Sequence, residues 1–220
     1  MDSSTLRRTT GTAALIGAAL TLIEVPLYFM YDGPPPDWNV FTRSLFGLAG
    51  ITSLIVFMTG FGFLVKRAEP EADWLGALAT NAGLAWLTVA LVSTGLEVGA
   101  VIQAADPIDP TITVSGTYIL YGTISRFLEA LFFCAFGFAV QQTAVLPQWT
   151  ARSAFVLAAI HLAFVPSLFF GNTPANFYAA NGWGTTATMG GLTMLWLLAI
   201  GRETARHPRK VPGRVSAESA

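Results

Sequence analysis

The sequence predicts an all-α integral membrane protein, a six-helix bundle with N and C termini cytoplasmic, and three observations carry that expectation. Of 220 residues, 53% are apolar and only 11% are charged, whereas ordinary soluble domains carry about 25% charged residues. A mean hydropathy of +0.57 agrees. Six apolar runs are each long enough to cross a hydrocarbon core of about 30 Å, and each is bounded by charges, Pro or Asn. The cations then set the orientation. Arg7, Arg8, Lys66, Arg67, Arg152, Arg202, Arg206, Arg209, Lys210 and Arg214 fall on one side of a six-span arrangement and Arg43 on the other, and short loops rich in Lys and Arg stay cytoplasmic.

In chain order the spans cover roughly 13–31, 45–65, 75–102, 118–140, 154–170 and 184–200. The first is a span rather than a signal peptide, because its apolar run is too long and lacks a small-residue cleavage site. Inner linkers at 66–74 and 141–152 are broken by Pro70 and Pro147, and the outer linkers lie at 32–42, 104–116 and 171–183. Tyr28, Tyr31, Trp38, Tyr118, Tyr121, Tyr178 and Trp183 gather near the outer face, as an interfacial aromatic belt would. Residues 1–202 read as one transmembrane domain. Residues 203–220 read as a basic, then polar, cytoplasmic tail that touches anionic lipid, with His207 solvated in it.

The segment 18–34 echoes the segment 158–174: Ala18, Ala19, Leu22, Val25, Pro26, Phe29 and Pro34 recur 140 residues on as Ala158, Ala159, Leu162, Val165, Pro166, Phe169 and Pro174. On the six-span topology this would be a parallel repeat. A Pro in the outer third of spans one and five removes a backbone hydrogen bond, so both helices should bend there and open the outer half of the bundle.

The fourth span is the centre of the arrangement. It reads SGTYILYGTISRFLEALFFCAFGFAVQQ, with Arg126 and Glu129 three residues apart on one helix face. A charge at that depth costs at least about 2.5 kcal/mol, so it turns into the bundle and finds a partner there. Glu24, Glu97 and His161 lie at compatible depths on spans one, three and five. Glu24 shares a face with Gly17, Thr21, Tyr28 and Tyr31, and Glu97 with Gly83, Trp86, Ala90 and Ser93, and the small residues on these faces are what close helix packing requires. Three carboxylates beside one guanidinium cannot all be ionised cheaply, so such a pocket holds an exchangeable proton.

Several uses of that chemistry are consistent with the sequence. A buried polar clasp would fix helix register without a ligand. A site for a small apolar or lipid-like, amphipathic ligand entered from the outer leaflet would be lined by Arg126, Glu129, Tyr28, Tyr121 and Trp86. An acid/base membrane enzyme of cyclase or isomerase type would use Glu129, Glu97, Glu24 and His161 for proton transfer. A proton-coupled carrier is the least favoured, since no span shows a clear break. The His and acid spacings do not suit a metal, and no Schiff-base lysine, haem His pair or phosphate loop points to a cofactor. The lone Cys134 excludes an intrachain disulfide and reads as a small core residue. A net charge of −1 gives no hint of nucleic acid, and the expected partner is membrane lipid. Spacings of GxxxG type at Gly184 to Thr188 and Ala187 to Gly191 read as helix packing.

The run SRFLEALFF followed by VLPQWTAR and a closing LWLLAIG resembles a widespread bacterial family of small multi-pass membrane proteins with no assigned function. Arg126, Glu129, Pro147 and Trp149 are the matching positions, within about the last hundred residues, while Glu24 and Glu97 have no counterpart in that pattern. The resemblance implies a bacterial inner-membrane protein and brings no activity with it.

Overall fold

A computed structural model of the chain describes residues 2–206. Six helices carry the architecture: α1 (Ser3–Glu24), α2 (Asp37–Ala68), α3 (Asp73–Gln103), α4 (Ser125–Thr143), α5 (Gln148–Phe164) and α6 (Met189–Ala205). With their terminal turns, all six are long and apolar enough to cross a membrane. The start of α1 and the end of α6 share one end of the bundle, the terminal end, together with the short turns at 69–72 and 144–147. Segments 25–36, 104–124 and 165–188 make up the distal end.

Helices α1 to α4 each pack on the next in sequence, and α6 returns against α1. Small residues set those approaches. A Cβ on Gly11 would lie 2.5 Å from the Ala205 amide nitrogen and the Gly201 carbonyl of α6, and one on Gly17 would lie 2.8 Å from the Gly50 carbonyl of α2. Helices α5 and α6 meet through side chains instead. Trp196 Nε1 donates to Ser153 Oγ at 2.9 Å, and the Trp196 ring fits among Phe132, Phe133 and Phe136 of α4 with centroids 4.9–6.3 Å away. Phe61 of α2 stacks on Phe136 at 4.4 Å. These rings fill the terminal half of the bundle as a dry plug, worth about 0.5–1.5 kcal/mol per aromatic pair beyond burial.

The helices run past the apolar windows that predict them. Helix α1 begins at Ser3 rather than near residue 13, because Asp2 caps it by accepting from the Ser4 amide at 3.2 Å. Its polar first turns pack on α6, and Arg7 Nη2 donates to the Val145 carbonyl at 2.9 Å. Helix α2 starts at Asp37, so part of the outer linker expected at 32–42 is helical. That moves Arg43 from a loop into a helix, where it is 2% exposed. Helix α6 runs to Ala205, so the first residues assigned to a tail belong to the last span. From residue 207 on, the tail and His207 lie outside the described residues.

At both prolines expected to bend their helices the winding changes. The α-helical winding of α1 stops at Glu24 and tightens into a 3₁₀ turn over Val25–Phe29, and α5 tightens likewise over Val165–Phe170. The two echoing segments therefore end alike, although α1 packs closely on its successor and α5 does not.

Two expectations fail. The fourth span is broken: Leu120–Ile124 is wound wide, with Gly122 at φ −88°, ψ −110°, outside the helical region. The cause is steric as well as local, since a Cβ at Gly122 would meet the Ala180 carbonyl at 2.8 Å. The GxxxG-type spacing of the sixth span does not pack a helix either. Gly184–Thr188 is a second wide turn, and a Cβ at Gly191 would meet nothing within 4 Å.

Gly11→Val forces α1 away from α6 and should lower stability by about 1–3 kcal/mol. Thermal unfolding in detergent measures this, and an unchanged midpoint would contradict the close α1–α6 contact.

Candidate functional site

The break at Gly122 frees carbonyls above α4, and the residues that follow satisfy them. Ser125 Oγ donates to the Leu120 carbonyl at 2.7 Å, and Arg126 Nη2 donates to the Tyr121 carbonyl at 3.3 Å. Arg126 therefore reaches back toward the distal end while Glu129, one turn on, faces the same interior. Their ion pair closes at 2.8 Å with both side chains buried. His161 of α5 brings Nδ1 to 3.2 Å from Glu129 Oε2, off the line needed for a hydrogen bond. Thr193 of α6 donates to Glu129 Oε1 at 3.2 Å and stands 3.2 Å from His161 Nε2. One carboxylate thus ties together α4, α5 and α6.

This order of Thr hydroxyl, imidazole and carboxylate is the one a nucleophilic triad uses. Here Thr193 and His161 are fully buried and neither lines the main cavity, and the arrangement braces helices. The brace is incomplete. Arg126 Nε and Nη1 have no hydrogen-bond partner although the residue is 3% exposed, and a clasp built for register alone would leave no such donors bare.

A cavity of about 940 Å³ opens beside the pair. Glu24 of α1, Trp86 and Glu97 of α3, and Arg126 and Glu129 of α4 line it, with Tyr28 and Tyr121 from the segments flanking α1 and α4. The space exists because facing positions are small, Ala90 on α3, Gly190 on α6 and Ala187 in the turn before α6, while Gly47 on α2 makes room for the Glu24 carboxyl. Pro107, Ile108 and Pro174 place its mouth at the distal loops. The expected convergence of Glu24, Glu97, Arg126 and Glu129 on one interior is found, and His161 stands behind Glu129 rather than in the wall.

Near the mouth, Tyr28 donates to Glu24 Oε1 at 3.0 Å, and the Arg43 guanidinium lies 4.0 Å from the centre of the Tyr28 ring. Arg43 is within electrostatic reach of both Glu24 and Glu97. Its Nε and Nη2 have no hydrogen-bond partner, and neither has Glu97 Oε1. Two residues that matter here were therefore missed in the sequence. Arg43 was counted as a loop charge, although its spacing to Gly47 and Gly50 puts it on the inward face of α2. Thr193 belongs to the buried stripe of Met189, Thr193, Trp196 and Ile200, but a threonine in a span carries no signal of its own. Among the described residues no group of three His, Cys, Asp or Glu side chains is placed to hold a metal ion.

No family model matches the chain, and no curated protein or solved structure compared with it matches either. The motif likeness in the C-terminal half therefore carries no family assignment, and the site is read from its own geometry.

Glu129→Gln removes the charge that balances Arg126 while keeping the side chain's shape. Breaking one partner of a buried pair costs about 3–5 kcal/mol, so the variant should unfold at a markedly lower temperature in detergent. Wild-type stability in that variant would show that the pair is not buried as described.

Proposed function

We propose that this protein binds a small or lipid-like amphipathic ligand in its intramembrane cavity. The observation that carries the reading is the cavity itself, which is large, walled by helices and continuous from the Arg126–Glu129 pair to the distal loops. Sites for drug-sized ligands occupy about 300–1,000 Å³, mostly apolar with a few convergent polar groups, and this one has that size and character. Cavity walls on α1, α2, α3, α4 and α6 are rigid, while the 3₁₀ and wide turns beside the mouth are the parts able to yield to an entering molecule.

The cation distribution supports placing the termini in the cytoplasm and the mouth on the outer face, and the motif likeness supports a bacterial inner membrane. A second reading, an acid/base enzyme acting on an apolar substrate, is favoured by Glu97, whose carboxyl lines the cavity with one oxygen bare. It would use the same pocket and adds a chemical step to binding. The break at Gly122 also gives a carrier the interrupted helix that the sequence did not reveal.

Adjacent glycines on α6 offer a matched test. A side chain at either Gly190 or Gly191 meets nothing within 4 Å, but Gly190 alone of the two lines the cavity. Gly190→Phe should abolish the binding of ligand carried through purification, read by native mass spectrometry, with little change in thermal stability. Gly191→Phe should leave it intact. Equal retention in both variants, or no bound or bindable amphiphile in the wild type, would overturn the proposal.

A further inference from the structure

The charges around the cavity are unequal. Five carboxylates line it, those of Glu24, Asp32, Glu97, Asp109 and Glu129, against the single guanidinium of Arg126. Arg43 stands in a small adjoining recess that shares Tyr28 and Asp109 with the main cavity. Glu129 balances Arg126 at 2.8 Å. At the mouth, Asp32 is exposed to water, and Asp109 is held by the Thr111 amide and hydroxyl at 3.0 and 2.7 Å. Between these levels Glu24 and Glu97 face one guanidinium, that of Arg43, and neither forms a close ion pair with it among the described residues. Glu97 is 5% exposed with Oε1 unpartnered.

The walls at that level are aromatic. Tyr28 and Tyr121 line the cavity with the two acids, and Trp86 lines it about three turns deeper along α3 than Glu97. Aromatic faces beside uncompensated carboxylates attract an organic cation, through the ring quadrupole and the net negative field together. An inorganic divalent ion would need several oxygens converging on a point, and the acids here do not converge that way.

We infer that the cavity takes a cationic amphiphile, its ammonium or amine group seated between Glu24 and Glu97 against Tyr28 and Tyr121, and its apolar part lying along the α3 and α6 walls toward Trp86. This rests on the ligand-binding function proposed above and narrows it to one chemical class. Arg43 keeps the site from holding two extra charges, so a single positive group is the match.

Three probes with the same hydrocarbon chain and different heads separate the possibilities: hexyltrimethylammonium, 1-hexanol and hexanoate. Each is titrated calorimetrically into the full chain in nanodiscs of zwitterionic lipid, with empty nanodiscs as the blank. The expected result is saturable binding of the ammonium, at least about tenfold tighter than the alcohol, which is the scale of one desolvated cation–aromatic contact, and weakest binding of the carboxylate. Glu97→Gln and Glu24→Gln should each shrink the preference for the ammonium over the alcohol. Equal binding of ammonium and alcohol by the wild type would overturn the cation assignment and leave an apolar-ligand cavity standing. No binding of any probe would remove both. A preference untouched in both glutamine variants would overturn the assignment of the ammonium to that acid pair.

Discussion

The structure depends on burying the Arg126–Glu129 pair inside a membrane-spanning bundle. Removing both ions from water costs several kcal/mol each, and a single contact repays that only with further hydrogen bonds. Glu129 recruits Thr193 and the His161 ring from two other helices, and Arg126 turns back to the Tyr121 carbonyl. That carbonyl is available because the fourth span breaks at Gly122. The pair, the break and the meeting of α4, α5 and α6 are thus one arrangement. Helices α5 and α6 have little backbone contact, and their hydrogen bonds through Trp196 and Thr193 help hold that side of the bundle together.

Seen along the membrane normal, the bundle has two different halves. The terminal half is filled by Phe57, Phe61, Phe132, Phe133, Phe136 and Trp196, all buried. The distal half has small residues at Ala90, Ala187 and Gly190 among its larger lining side chains, and it holds the cavity. Both halves follow from residue size at inward positions. The polar pair lies between them, with the plug below it and the cavity beside it, and this keeps a charged group out of lipid while leaving it next to a space that a ligand can occupy.

Much of this was legible in the sequence because membrane burial is a coarse, strong signal. Six apolar runs and ionisable residues inside four of them are enough to place the helices and to send Glu24, Glu97, Arg126 and Glu129 inward. The rest was hidden for identifiable reasons. Helix ends escape hydropathy because polar residues such as Ser3 to Thr10 stay helical when another helix packs on them. The break at Gly122 lies against the Ala180 carbonyl, a contact made by a residue nearly sixty positions later, and leaves no room for a Cβ. Arg43 looked like a loop residue because an apolar window starting at Leu45 excludes it. A rotation by one further turn would have shown it above Gly47 on the inward face. The glycine spacing in the sixth span failed in the opposite sense, since small residues there make room rather than contact.

That Arg126 and Glu129 compensate one another as a buried pair inside the bundle is tested most directly by a double-mutant cycle with Arg126→Met and Glu129→Met, read by unfolding in detergent. The account predicts that each single variant is strongly destabilised and that the double variant is more stable than either, because it leaves no uncompensated buried charge. Destabilisations that simply add would contradict it.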